Sequence, residues 1–325
     1  MLRVFTDPRC QRHTVPGGFP ERPQRLEAVM TSLRAGRWEI DGESPPADAP
    51  SAETTTAKLV AEAVAAVHEG QYVGRFEAAV ERGDGLLDSA DNPLSEGTRE
   101  AAGAAVAAAL RATDWVMAAP ARSAFVAVRP PGHHAEVATA MGFCYFNTVA
   151  VAAQHLIRHD ALERIAIFDF DVHHGNGTQH LFEERGDVLS VSCHQYPFYP
   201  GTGAASEKGR GDGLGATLNV PLPAGSGDDD YLRAFEEKIL PRLREFDPRM
   251  LLISAGFDAW RADPLGGMCV TEEGFATWGR LLRELADEVC RGRTISFLEG
   301  GYDLAKLGDL VVCYLEGVDP PAAPV

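Results

Sequence analysis

"RIAIFDFDVHHGNG", residues 164 to 177, runs an apolar segment straight into two aspartates, two histidines and two glycines. Its first half, "RIAIFDFD" (164–171), reads as a buried strand. Asp169, Asp171 and His173 are spaced two apart, so in extended chain their side chains point to one side. A buried polar cluster of that kind is costly unless something pairs with it. A metal ion is the candidate partner.

Strands of the same kind lie on either side. "LRVFT" (2–6), "SAFVAVRP" (123–130), "DVLSVSCH" (187–194) and "RMLLISAGFD" (249–258) read as strands, and "TISFLEGGYD" (294–303) begins as one. Helical patterns alternate with them. "RPQRLEAVMTSLRAG" repeats Leu26, Val29, Met30 and Leu33 on one face. "AAVHEGQYVGRFEAAV" is helical with a glycine interruption, and "GTREAAGAAVAAALRA" is a small-residue helix suited to close packing. "AVAAQHLIRH", "DYLRAFEEKILPRLREF" (with an internal proline) and "EEGFATWGRLLRELADEVC" complete the set. This alternation predicts an α/β fold, a mainly parallel sheet with helices on both faces. The polar stretch "DGESPPADAPSAETTT" (41–56) reads as a surface excursion rather than a linker. With no repeat and no second core in view, residues 1–325 are expected to form one domain.

Composition narrows the function classes. The chain has 325 residues, 45% hydrophobic and 24% charged, with a net charge of −17. That sign disfavours direct nucleic-acid binding and anionic membranes, and favours cationic small molecules or lysine-bearing segments. No run of apolar residues is long enough to span a bilayer. The start, "MLRVFTDPRC", lacks a signal peptide's apolar core. Six cysteines without a CxxC pair point to a reduced, cytoplasmic chain.

The polar motifs gather at predicted strand ends. "RPPGHH", "DFDVHHGNG", "SCHQYPFYPGTG", "SAGFDAWRADPLGG" and "LEGGYD" each follow an apolar run. An open α/β sheet binds ligands at the carboxyl edge of its strands. Asp171, His173 and Asp258 are the candidate metal ligands. Two carboxylates and an imidazole suit Zn²⁺, and Fe²⁺ or Co²⁺ also fit such donors. His133 and His134, restrained by two prolines and a glycine, are either a metal pair or an acid/base pair. Asp169 is placed to orient His133 and Asn176 to orient His134, which would leave the two rings in different protonation states. Tyr302, after two glycines, is a candidate donor to a polarised carbonyl.

Taken together, "RPPGHHAEVATAMGFCYFNTVAVAA", "DFDVHHGNGT", "HQYPFYPGTG", "ISAGFDAWRADPLGG" and "EGGYDL" resemble the histone deacetylase superfamily, which includes bacterial amidohydrolases and acetylpolyamine amidohydrolases. The resemblance runs from "ERPQRL" near residue 21 to about residue 305. It implies an arginase-like deacetylase fold around an eight-stranded parallel sheet, and hydrolysis of an N-acyl amide such as acetyl-lysine. It implies zinc at Asp171, His173 and Asp258, His134 as general base and then acid, His133 as its electrostatic companion, and Tyr302 polarising the carbonyl. Phe143 and Tyr199 match the aromatic walls of the acyl-lysine tunnel. Asp169, Ser192 and backbone oxygens of Asp171, His173 and Cys193 match a structural K⁺ site. Asp91, in "DNPLSEG", matches a rim aspartate that grips substrate, with helix capping as the rival role. Many relatives carry phenylalanine where Tyr199 stands, so this tunnel is slightly more polar.

Two positions place the chain within the superfamily. Asn176, where the main nuclear enzymes have aspartate, resembles the class II branch. Leu265, in "DPLGG", stands where a polyamine-specific relative has an acidic gatekeeper, and leucine offers no charge to an internal ammonium. The expected substrates are therefore acylated lysine or a similar acylated amine, with acetylpolyamine hydrolysis as the alternative. A two-metal ureohydrolase would need further carboxylate ligands, and a non-catalytic reader would lack Tyr302 or a ligand. The sequence leaves oligomeric state open, a homo-oligomer included.

Overall fold

Every strand read from the sequence enters one sheet. The computed structural model describes residues 1–43 and 50–321, without the side chains of residues 50–54. The strands are β1 (Leu2–Phe5), β2 (Glu39–Asp41), β3 (Ser123–Val126), β4 (Ile165–Asp169), β5 (Val188–Gln195), β6 (Thr217–Leu222), β7 (Met250–Ala255) and β8 (Thr294–Leu298). They order as β2-β1-β3-β8-β7-β4-β5-β6. Every pairing in this sheet is parallel. All carboxyl ends therefore lie on one edge, as the arginase-like expectation requires.

Sequence reading missed β2 and β6, the two edge strands. β2 has only three residues. β6 carries Asn219 and Pro221, which weaken a strand pattern, and proline is tolerated at an edge where one side needs no donor. Of the other strands, all but β5, which runs on to Gln195, end sooner than their apolar runs suggested. Residues 127–130, 170–171, 256–258 and 299–303 leave the sheet and turn over its carboxyl edge.

The interior strands are buried on both faces, with Phe125, Phe168, Ile253 and Ile295 fully enclosed. Helix Thr98–Met117 packs its alanines inward, as its composition predicted. A smaller apolar cluster, built on Tyr72, Phe76, Tyr145 and Phe146, joins helix Gly70–Arg82 to the loop after β3. The glycine interruption is a real break: helices Pro50–Ala65 and Gly70–Arg82 are separate, with His68 between them. Residues 44–49 of the polar stretch lie outside the described residues, but from Pro50 onward it is helix, not excursion. Pro241 is preceded by a π-helical turn, Phe235–Ile239. Proline removes one backbone donor, and the wider turn accommodates the mismatch. Among the described residues, no helix is long and apolar enough to cross a membrane.

Candidate active site

The segment after β4 folds back on itself through its own carboxylates. Asp169 Oδ1 accepts from the Asp171 amide at 3.0 Å, and Asp171 Oδ1 accepts from the His173 amide at 2.9 Å. Asp171 Oδ2 accepts from the Gly300 amide at 2.7 Å, joining the loop after β8. Asp258 Oδ1 accepts from the Val172 amide at 2.9 Å, joining the loop after β7. A side chain at Gly300 would overlap the carboxylates of Asp258 and Asp171, so this approach requires glycine.

These contacts bring one donor atom from each of Asp171, His173 and Asp258 within 4.8 Å of one another. His173 Nδ1 lies 3.1 Å from Asp171 Oδ1 and 3.2 Å from Asp258 Oδ2. Both carboxylates are fully buried. Asp258 Oδ2 has no partner in hydrogen-bond geometry, despite its nearness to Nδ1. Tetrahedral Zn²⁺ with bonds of about 2.0–2.1 Å sets neighbouring donors about 3.3 Å apart. An orphaned carboxylate oxygen and two spacings near that value fit a metal ion. Burial would lower the proton affinity of His173, but the Asp171 and Asp258 carboxylates outweigh it and raise its pKa to about 10. Burial and the Asp171 charge together push Asp258 upward.

His133 and His134 follow the loop from β3, with ring centroids 4.0 Å apart. His133 Nδ1 lies 2.9 Å from Asp169 Oδ2, and His134 Nδ1 lies 2.7 Å from Asn176 Oδ1. The two expected orienting partners are therefore in place. Burial disfavours charge on both rings. For His133 the Asp169 and Asp171 carboxylates overcome it and hold the pKa well above normal. His134 lies well below normal, through burial and the positive charges of His133 and His173. The two neighbouring rings are thus driven in opposite directions, His133 toward the cation and His134 toward the neutral form.

Tyr302 is 8% exposed, and the Arg25 guanidinium lies 4.7 Å from its ring centroid. Burial lifts the phenol well above its normal pKa, against the opposing pull of Arg25, so it remains a donor. Phe143 edges Tyr302 at 6.0 Å between centroids. Tyr199 edges His134 at 5.2 Å and His173 at 6.0 Å. Phe143 has φ +70, a left-handed conformation unusual for a bulky residue. The turn that holds it is braced by Asp91, whose Oδ2 accepts from the Gly142 amide at 3.0 Å. The same oxygen accepts from the Tyr199 hydroxyl at 2.9 Å. Asp91 lies in a short strand, Ser89–Pro93, and the next helix is capped by Gly97, so the helix-capping reading of Asp91 is not what the fold shows. Leu265 is half-buried, and its amide donates to Asp263 Oδ1 at 2.9 Å. Ser192 is the register partner of Asp169 on adjacent strands, with Cys193 next to it.

Several residues gained a place only in three dimensions. Arg25 donates to the carbonyls of Gly301 at 2.6 Å and Glu299 at 2.5 Å. Glu21 anchors both Arg25 and Arg129. Asp263 Oδ2 accepts from the Tyr302 amide at 2.6 Å. Phe198, beside the expected Tyr199, stacks on the His173 ring at 5.2 Å. "ERPQRL" contained Glu21 and Arg25, but nothing local showed that Glu21 reaches Arg129 or that Arg25 reaches Gly301.

The histone deacetylase domain model matches residues 19–318. The chain belongs to the histone deacetylase family. It is 43% identical over 260 residues to histone deacetylase 14, chloroplastic, of Arabidopsis thaliana, covering 77% of this chain and 62% of that one. It is 36% identical over 304 residues to the histone deacetylase-like amidohydrolase of Pseudomonas aeruginosa, covering 92% of this chain and 76% of the relative. The crystal structure of an acetylpolyamine aminohydrolase from Burkholderia pseudomallei superposes with a TM-score of 0.83 at 30% identity, covering 98% of this chain and 99% of that one. The chain thus spans less than two thirds of the plant relative's length. Its histone deacetylase domain is that of an enzyme acting on amides, a deacetylase or amidohydrolase.

Proposed function

We propose that this chain is a zinc-dependent hydrolase of N-acyl amides whose preferred substrates are acyl-lysines rather than acetylated polyamines. One observation carries the chemistry: a buried Asp–His–Asp trio adjoins two histidines, one held by the Asp169 carboxylate and the other by the Asn176 amide, whose proton affinities are driven in opposite directions. Asp171, His173 and Asp258 would hold Zn²⁺, which supplies a Lewis acid and lowers the pKa of water. Neutral His134, with Nδ1 turned to Asn176, uses Nε2 to take the attacking water's proton. Cationic His133 adds positive charge beside the developing oxyanion, and Tyr302 donates a hydrogen bond to it. His134 then returns its proton to the leaving amine. Pairs of titratable groups whose pKa values are driven apart are what acid–base division of labour requires.

Phe143 and Tyr199 are assigned as the walls that hold the acyl-lysine stem, with Asp91 at the rim. Asp169, Ser192 and the backbone at Asp171, His173 and Cys193 are assigned to a structural K⁺. The reading treats residues 1–325 as one domain. It places the enzyme in the cytoplasm, consistent with six unpaired cysteines. The two-metal alternative is weaker, because only one ligand trio occurs among the described residues.

Leu265 decides the substrate class. It presents no carboxylate to an internal ammonium, so an acetylpolyamine gains no charge-assisted contact there. The test compares kcat/KM for acetyl-lysine peptides, longer acyl-lysines, acetylputrescine and acetylspermidine. Acetyl-lysine peptide turnover should at least equal that of acetylspermidine. A strong preference for acetylspermidine moves the chain to the polyamine group.

A further inference from the structure

Asn176 poses a problem that an aspartate would not. A neutral imidazole can meet an amide in two ways. Facing the amide oxygen, His134 Nδ1 carries the proton and Nε2 keeps its lone pair. Facing the amide nitrogen, Nδ1 becomes the acceptor and Nε2 carries the proton. Only the first form takes a proton from water at Nε2. An amide turned through half a circle exchanges its two ends with little change in shape. Asn176 alone therefore does not select the working tautomer.

Glu136 makes the selection. Its Oε1 accepts from Asn176 Nδ2. An ionised carboxylate only accepts, so the amide must turn its NH₂ end outward and its oxygen toward His134. The other neighbours of Nδ2 agree, for Met141 Sδ at 3.2 Å and the His134 carbonyl at 3.4 Å are also acceptors. Glu136 is itself well held. Its amide donates to the Thr139 carbonyl at 2.9 Å, and its carbonyl accepts from His68 Nδ1 at 2.9 Å. The same Oε1 lies 2.8 Å from His180 Nδ1 on helix Asn176–Phe182. Glu136 is not among the metal trio or the aromatic walls, and its side chain is 20% exposed.

We propose that Glu136 is a positioning residue for the amide-hydrolysing reaction: it locks the Asn176 amide so that His134 rests in the Nδ1–H tautomer with Nε2 free. The inference rests on the reading of His134 as general base. The tautomer, however, is a property of the resting protein and is measured without turnover.

The experiment uses metal-replete enzyme labelled with ¹⁵N-histidine, the His134 signals being assigned by their loss in His134→Ala. Wild type should show an Nδ1–H, unprotonated-Nε2 ring. Glu136→Leu should populate the Nε2–H form, with kcat lowered roughly tenfold, the scale of losing one hydrogen bond to a charged group, and KM changed by less than about twofold. Glu136→Ala serves the same test where leucine disturbs packing. Adding Asn176→Asp to Glu136→Leu should restore the Nδ1–H form and most of kcat, because a carboxylate beside Nδ1 needs no orienting partner. A merely structural role for Glu136 would not be rescued in this way. A Glu136→Leu protein whose His134 stays wholly Nδ1–H overturns the proposal, whatever its kcat. Normal turnover by His134→Ala would instead remove the general-base reading, and the tautomer would still decide the role of Glu136.

Discussion

At Tyr302 the chemistry rests on one hydroxyl. Tyr302→Phe keeps the ring under the Arg25 guanidinium and beside Phe143, so fold and metal content should not change. The hydroxyl matters most when charge develops on the carbonyl oxygen. Losing one such donor typically costs about 10²–10³ in kcat, with KM little affected. Kinetics from about pH 6 to 9, with zinc content checked alongside, test this. Near-normal kcat on an acetyl-lysine peptide would show that Tyr302 is not the oxyanion donor. Asp258→Ala works by the opposite route. It removes a ligand, so metal analysis should find zinc lost along with activity, and full zinc occupancy would remove Asp258 from the trio. The residues of this chemistry were legible because they follow apolar runs: Asp171 and His173 after "RIAIF", Asp258 after "MLLISAGF". So were Asp169 and Asn176, the partners that orient His133 and His134, but the residues that hold the Tyr302 loop were not. Arg25 meets Glu299 and Gly301 across more than 270 residues, and Asp263 reaches Tyr302 across 39. No local pattern encodes such distances. Tyr199 reads from the sequence as a wall that makes the tunnel slightly more polar, and in the fold its hydroxyl donates to Asp91.

Elements were legible in proportion to their burial. β4, β7 and β8 lie inside the sheet, are covered on both faces, and read as continuous apolar runs. β2 and β6 sit at its edges, pair on one side only, and left no such run. The break between helices Pro50–Ala65 and Gly70–Arg82 shows what a glycine interruption conceals. His68 stands there, 2% exposed, with Nδ1 donating to the Glu136 carbonyl and Nε2 accepting from the Asn147 amide, both at 2.9 Å. Burial lowers its pKa to about 4, although its bonds to backbone carbonyls oppose the shift. The folded value thus lies below the ordinary 6.5 of the unfolded chain. Its contribution to stability is complete above 6.5 and is lost as pH falls toward 4. By about pH 5.5 that loss reaches about 1.4 kcal/mol. His68→Gln retains an acceptor for the Asn147 amide but cannot titrate. It should be about 1 kcal/mol less stable than wild type near pH 7, through loss of the ring Nδ1–H bond to the Glu136 carbonyl, and close to wild type near pH 5.5. Denaturant unfolding at both pH values measures the difference. Parallel pH dependence in the two proteins would show that His68 is not held neutral.

Across the whole molecule, the parallel sheet brings loops from separate strands to one edge and packs acids between them. Asp169, Asp171, Asp258 and Glu299 are all at most 3% exposed. Four carboxylates in so small a volume are stable only if paired or protonated. His133 and His173 pair with some of them. Burial raises Glu299 to about 7, and burial with the Asp171 charge raises Asp258. In metal-free protein the ligand site therefore retains protons that a cation must displace. The sign follows from both ligands. Unfolded Asp258 ionises near its ordinary 3.8, whereas the metal-free fold favours its neutral form, so that fold loses stability as pH rises above 3.8 toward the raised folded value. His173, raised to about 10, adds stability that is complete below 6.5 and is lost as pH climbs toward 10. With both ligands already deprotonated in the loaded enzyme, neither loss applies to it. The stabilisation conferred by zinc should therefore grow with pH, by about 1.4 kcal/mol per pH unit for each proton displaced. Calorimetry of zinc-loaded and chelator-stripped protein at pH 6 and pH 8 tests this. The groups outside the site titrate alike in both samples and cancel in the difference. The gap in Tm should be wider at pH 8. A gap that stayed constant or narrowed would mean that Asp258 and His173 do not exchange their protons for the metal, and the trio would cease to be the place where zinc binds.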